Sequence, residues 1–216
     1  MKMLSTLLLL CACLVSGAAH AQAAAGTPLP RDSVYQLDVT LTTHEGRRQP
    51  WSSHRGKPQL VSMFYTSCQY ICPLIVDAGK AVERELGSKQ RQRLGILLIS
   101  MDPATDTPEA LRSVVEKRRL NPARWTLASP ERAQVRAVAG VLGIRYRELA
   151  DGEFNHTSAL VLLDSQGRVL ARTERMGSQP DPEFLAAVRK ALGPGSCTRR
   201  ASPVLKNLAA PARPST

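Results

Sequence analysis

The feature that most constrains this chain is residues 59–73, Gln-Leu-Val-Ser-Met-Phe-Tyr-Thr-Ser-Cys-Gln-Tyr-Ile-Cys-Pro. Its first part, Leu60 to Tyr65, is a largely apolar run that reads as a buried strand. The run breaks at Thr66-Ser67 into two cysteines four positions apart, Cys68 and Cys72, followed at once by Pro73. Behind the proline, Leu74, Ile75, Ala78, Val82 and Leu86 are spaced for one face of a helix. Proline suits the first turn of a helix, where its missing N–H is not needed. Both thiols therefore fall at a strand-to-helix junction, where the positive end of the helix favours thiolate. A plain disulfide or two core cysteines is the bland reading; the junction argues for reactive sulfur.

A length of 216 residues fits one domain with appendages. The 43% hydrophobic content is enough for a packed core. Residues 1–21 read as a secretory signal peptide: Met1-Lys2, an apolar run from Met3 to Val15, and an Ala19-His20-Ala21 cleavage signal. The apolar run is short for a membrane span, and Leu10-Cys11-Ala12 before Cys13 matches a lipoprotein signal poorly. The expectation is a cleaved signal and a periplasmic or otherwise exported protein. The mature chain then keeps Cys68, Cys72 and Cys197. In an oxidising compartment a dithiol persists only if it is metal-bound or kept reduced by a thiol reductase partner. Cys197 stands alone in a Pro/Ala/Arg tail and reads as incidental.

The net charge of +11 falls by one to +10 when Lys2 leaves with the signal. Arginines are scattered rather than interleaved with aromatics, which make up only 4% of the chain. Nucleic acid is not the expected partner of an exported chain. Peripheral contact with anionic lipid fits the charge.

Taken in order, residues 22–33 read as a linker and residues 34–193 as the folded domain. Val34 to Thr42 has β-branched alternation, with His44-Glu45-Gly46 as a turn. The first helix is expected from Pro73 to Leu86, ending at Gly87. Leu94 to Met101 reads as a second buried strand. Thr107-Pro108-Glu109 caps and opens a helix to Arg119. Ser129-Pro130-Glu131 gives the same signal for another helix, closing at Gly143. A strand over 144–149, a hairpin over 159–173 and a last helix from Asp181 to Gly193 complete the domain. The tail 194–216 is expected to be disordered and basic. This order predicts an α/β fold, a three-layer α/β/α sandwich around a mixed sheet.

A dithiol between a strand and the first long helix is a thioredoxin-like arrangement. Three residues, rather than two, separate the cysteines here. A disulfide remains feasible, and the wider loop leaves room for a soft ion such as Cu(I) or Zn(II). The candidate third ligand is His156, in the loop before the hairpin, where Thr157-Ser158 stands in place of the usual cis-proline. His20, His44 and His54 lack such a setting.

Thr66-Ser67-Cys68 with Cys72-Pro73, then Asp102-Pro-Ala-Thr-Asp-Thr-Pro-Glu109, then His156 before Ala159 to Asp164 and Gly167, resemble the Sco/SenC family over residues 35–192. The resemblance implies a thioredoxin-like fold and a copper ion held by Cys68, Cys72 and His156. It implies as partner the copper-bearing subunit of cytochrome c oxidase, or another copper chaperone. Asn155 departs from the family, in which many members have Asp before the histidine. Many members are also membrane-anchored. Other readings stay open. Cys68 and Cys72 are the redox-active, catalytic pair if the chain is instead a client-specific thiol–disulfide oxidoreductase. A peroxidase or a structural zinc site fits less well, the latter because three ligands fall short of four.

Overall fold

The computed structural model describes residues 28–193 apart from Gln69. The signal peptide and the tail with Cys197 lie outside the described residues. The centre is set by two strands buried along their whole length, β3 (Gln59–Phe64) and β4 (Gly95–Ser100). Strands apolar on both faces suit a parallel pair covered on both sides, and β3 pairs β4 in parallel from Gln59 opposite Gly95 to Phe64 opposite Ser100.

Around them the chain adds its remaining elements. β1 (Thr40–Thr43) and β2 (Arg48–Pro50) form the N-terminal hairpin. α1 (Ile71–Arg84) and α2 (Ser88–Arg93) link β3 to β4, and α3 (Pro108–Lys117) links β4 to β5 (Trp125–Pro130). α4 (Val135–Val141) leads to β6 (Tyr146–Glu148) and β7 (Phe154–His156). The antiparallel β8 (Leu160–Leu163) and β9 (Val169–Thr173) precede α5 (Pro182–Leu192). The main sheet runs β2-β1-β5-β4-β3-β8-β9. β4 and β5 are parallel to β3, whereas β8 and β1 join antiparallel.

Right-handed crossovers between the parallel strands put α1 and α3 on one face. The neighbouring of α1 and α3 shows in Lys80, whose Nζ donates to the Arg118 carbonyl at 3.0 Å, and in the Arg118–Asp77 ion pair. The fold is thus a thioredoxin-like α/β sandwich whose β1–β2 hairpin extends the mixed sheet. Among the described residues no helix is long and apolar enough to cross a membrane.

Helix starts follow their caps. Thr107 accepts from the Ala110 N–H at 3.3 Å ahead of Pro108 and Glu109, and Asp181 accepts from Glu183 ahead of Pro182. Two expectations need correction. Ser129-Pro130 ends strand β5 instead of opening a helix, and α4 begins only at Val135, after a 3-10 turn at Arg132–Gln134. The local cap signal lost to pairing with β4 and β1 on either side. The strand expected over 144–149 is β6, which leaves the main sheet and pairs with β7 in a separate ribbon. α2 was not foreseen, because its sequence Ser-Lys-Gln-Arg-Gln-Arg has no apolar face to announce it and buries no residue.

One glycine shows how tightly helix and sheet meet. A Cβ on Gly79 of α1 would stand 2.7 Å from the ring of Trp125. That ring is fully buried, and its Nε1–H donates to Glu83 Oε2 at 3.1 Å, so it cannot step aside. Ala in place of Gly gains roughly 1 kcal/mol of helix propensity, whereas overpacking a core costs about 1–3 kcal/mol. Gly79→Ala is therefore expected to lower the urea midpoint of the domain. A midpoint raised above wild type would show that the ring can yield.

Candidate functional site

The site lies beyond the C-terminal ends of β3, β4 and β5, and a buried carboxylate organises it. Asp106, 1% exposed, accepts hydrogen bonds from the Thr66 N–H at 3.0 Å, the Thr66 hydroxyl at 2.5 Å and the Ser100 hydroxyl at 2.5 Å. Its own carbonyl accepts from the Ser129 hydroxyl at 2.7 Å. The turn after β3 is thus fixed to the ends of β4 and β5. Burial pushes the Asp106 carboxyl up, against the lowering effect of those donors.

From that turn the chain enters the dithiol segment. The Cys68 N–H donates to the Tyr65 carbonyl at 3.4 Å. Cys72 lies in the first turn of α1, and its backbone N–H donates to Cys68 Sγ at 3.4 Å. Both sulfurs are free thiols, with Cys68 8% and Cys72 5% exposed. Their environments differ in kind. Burial pushes the Cys68 thiol up, but the N–H groups of Cys72, Tyr70 and Ile71 and the Cys72 thiol outweigh it, so its net shift is downward. Burial pushes the Cys72 thiol far up, and the negative charges of Cys68 and Asp106 add to that. One thiol is poised to ionise and its neighbour holds its proton.

His156 ends β7 rather than lying in a loop. Its ribbon pairs Tyr146 with His156 and Glu148 with Phe154, and the Thr157 N–H extends it by donating to the Arg145 carbonyl at 2.8 Å. The imidazole packs edge-on against Tyr65, ring centroids 5.9 Å apart. Nδ1 lies 3.3 Å from the Thr157 carbonyl, which assigns the proton to Nδ1. Nε2 then carries the lone pair, and it is buried with no hydrogen-bond partner. Burial holds the His156 pKa below the usual histidine value, outweighing the Thr157 carbonyl, so the neutral ring dominates at neutral pH. A neutral, unpartnered ring nitrogen has the electronic form of a metal ligand.

The structure brings the two thiols together but does not gather all three side chains. Among the described residues no three His, Cys, Asp or Glu side chains are grouped closely enough to hold a metal ion. The dithiol and Tyr65 line one cavity, and His156 lines another with Arg145 and Arg147. Tyr65 connects the two sides. Its hydroxyl donates to Glu153 Oε2 at 2.7 Å and accepts from the Phe154 N–H at 3.4 Å, while its ring packs on Phe154 and His156. Burial, and then the Glu153 hydrogen bond, push the Tyr65 hydroxyl well above the usual phenol range, so it stays protonated. The sequence did not mark Tyr65, Asp106 or Glu153 as site residues. Only Asp106 carried a signal, its place in the Asp102-to-Glu109 stretch, and that stretch reads equally as a helix cap.

Comparison with known proteins agrees with this architecture. The structure of Bradyrhizobium japonicum ScoI with copper bound matches at 24% identity and a TM-score of 0.59, over 72% of this chain and 98% of that one. A SCO1/SenC family lipoprotein from Bacillus anthracis matches at 18% identity and a TM-score of 0.64, over 73% and 95%. BsSco, a member of the Sco family of cytochrome c oxidase assembly proteins in which a disulfide switch was identified, matches at 19% identity and a TM-score of 0.61, over 72% and 92%. At these identities the likeness is one of fold. The SCO1/SenC family model matches residues 30–193, nearly all of the described residues. The chain belongs to the SCO1/SenC family.

Proposed function

We propose that this protein is an exported copper carrier. It takes one copper ion as cargo on Cys68, Cys72 and His156 and passes it to the copper-bearing subunit of a cytochrome c oxidase. The observation that carries the reading is the buried, unpartnered Nε2 of a neutral His156, on the far flank of Tyr65 from two free thiols. Buried polar atoms are normally satisfied, and a soft cation suits two sulfurs and an imidazole. The copper-bound ScoI structure of the same fold supports the choice of ion. The three donors are not gathered among the described residues. The thiols therefore take the ion first, and His156 closes on it by a shift of the ribbon or of the dithiol turn. Copper supplies no chemistry of its own here. The protein's part is to hold it, shield it and release it. Export follows from the expected signal peptide, and the lipoprotein neighbour is compatible with it.

A second reading is favoured by the thiol asymmetry. A thiol lowered beside one raised is the division of labour of a thiol–disulfide oxidoreductase, one sulfur attacking and the other resolving. On that reading the chain keeps the oxidase copper-site cysteines reduced and is recharged by a thiol reductase. The disulfide switch identified in BsSco is consistent with this second reading.

Two measurements separate the readings. For the carrier, competition with a Cu(I) chelator is expected to show His156→Ala weakened about tenfold or more, with far-UV circular dichroism unchanged. Equal affinity would remove His156 from the copper site and, if cells carrying the variant also kept full oxidase activity at low copper, would favour the oxidoreductase. For the thiols, the sign runs from the lowered Cys68. Its thiolate fraction is already substantial below the ordinary thiol value of 9.0, whereas Cys72 remains protonated there. Iodoacetamide labelling followed by peptide mapping is expected to modify Cys68 first, with a rate that rises through a midpoint below pH 9.0. Prior modification of Cys72 would contradict the asymmetry.

A further inference from the structure

The dithiol lines a cavity of about 160 Å³ that extends past the sulfurs toward α3. Its wall includes Pro73 and Val76 of α1 and Val114 of α3, and it also meets Lys117 and Arg118 at the end of α3. The space is too large for an ion alone. An apolar cavity of roughly 150 Å³ takes a benzene molecule, so this one takes a single Leu, Met or Phe side chain.

Two cations stand at its α3 end. Lys117 is exposed and makes no hydrogen bond or ion pair among the described residues. Arg118 donates through Nη2 to the Pro73 carbonyl at 3.4 Å and pairs with Asp77, while its Nε is buried without an acceptor. One carboxylate thus faces two cations. Next to the thiols in sequence, Tyr70 is 87% exposed and Leu74 42% exposed. Large exposed apolar groups beside a pocket are the marks of a protein-binding surface. A metal ion or a small thiol needs none of these features; a polypeptide uses all of them.

We propose that the Cys68–Cys72 cavity, with Lys117, is the docking subsite for an extended segment of the client. The segment places one apolar side chain, adjacent to its own cysteine, against Pro73, Val76 and Val114, and sets an acidic side chain on Lys117. This inference rests on the reading of the dithiol as client-facing, and names the chemistry of the client that reading requires. It holds for copper transfer and for thiol exchange alike, since both bring a client cysteine to Cys68.

The test uses the reduced mature chain with Cys72→Ser and Cys197→Ser, so that Cys68 alone reacts. The probes are peptides whose cysteine is activated as a disulfide with 2-nitro-5-thiobenzoate. The Cys68 thiolate attacks the peptide sulfur, a protein–peptide disulfide forms, and the coloured thiolate leaves with the electron pair of the broken bond. Three peptides are symmetric about cysteine, so that chain direction does not matter: Gly-Asp-Leu-Cys-Leu-Asp-Gly, Gly-Asp-Ser-Cys-Ser-Asp-Gly and Gly-Lys-Leu-Cys-Leu-Lys-Gly. The first is expected to react about tenfold faster than either of the others, from one buried side chain and one surface ion pair. Val114→Trp, which fills the cavity, should erase the preference for Leu over Ser, and Lys117→Glu should turn the preference for Asp into one for Lys. Rates for the three peptides within about twofold of each other, or a charge preference that survives Lys117→Glu, would overturn the proposal. Lys117 is exposed, so its variant keeps the test decisive if Val114→Trp does not fold. A Cu(I) titration of the unsubstituted protein tells the two ideas apart. Copper binding without peptide preference removes the docking subsite alone, and peptide preference without copper binding removes the carrier reading alone.

Discussion

Asp106 carries a carboxylate into the interior, where three donors meet it: the backbone and hydroxyl of Thr66 and the hydroxyl of Ser100. Burying a carboxylate costs several kcal/mol unless it is compensated. Hydrogen bonds to a charged group contribute about 1.5–3 kcal/mol each, so three together recover much of that cost, and burial still holds the carboxyl pKa up. What the arrangement gains is position. Without it the turn that follows β3 would be held to the neighbouring strands only by the main chain. The dithiol segment starts two residues after Thr66, so the sulfurs inherit whatever precision that turn has.

The same position gives the two cysteines unequal surroundings. Cys68 stands just before a helix, where backbone N–H groups point at its sulfur, and Cys72 stands inside the first turn, where none of the helix's free donors is left to it. The inequality is a property of the junction itself, because a thiolate on Cys68 further discourages one on Cys72. As pH rises, Cys68 is therefore the first of the pair to lose its proton. A soft cation removes that restriction by neutralising both sulfurs at once.

How much of this was legible in sequence depends on whether a residue announces its own chemistry. Cys68, Cys72 and Pro73 did, because their types and spacing mark a strand-to-helix junction. His156 was singled out by its place ahead of the hairpin, whereas the backbone there is a strand and the imidazole is not gathered with the sulfurs. β3, β4 and the capped helices α3 and α5 were legible from apolar runs and local caps. β5 was not, since Thr126, Ala128 and Ser129 become strand only through neighbours on both sides. Tyr65 and Glu153 were beyond reach for a similar reason. Their hydrogen bond joins positions 88 apart, and nothing near either one in sequence points to the other.

The small ribbon of β6 and β7 has its own thermodynamic character. It has three paired positions and is separate from the main sheet, and an isolated two-stranded hairpin is marginal in water. What holds it is a patch of rings, Tyr65, Phe154 and Tyr146, with the Tyr65–Glu153 hydrogen bond. Local unfolding of such a unit costs far less than global unfolding. The imidazole therefore belongs to a low-stability unit, while both thiols lie outside that ribbon, at the start of α1. On the copper-carrier reading proposed above, detaching the histidine would leave the cation on the sulfurs, so it would lose nitrogen before sulfur. A partner that competes for those ring contacts would weaken the hold on the cation without touching it.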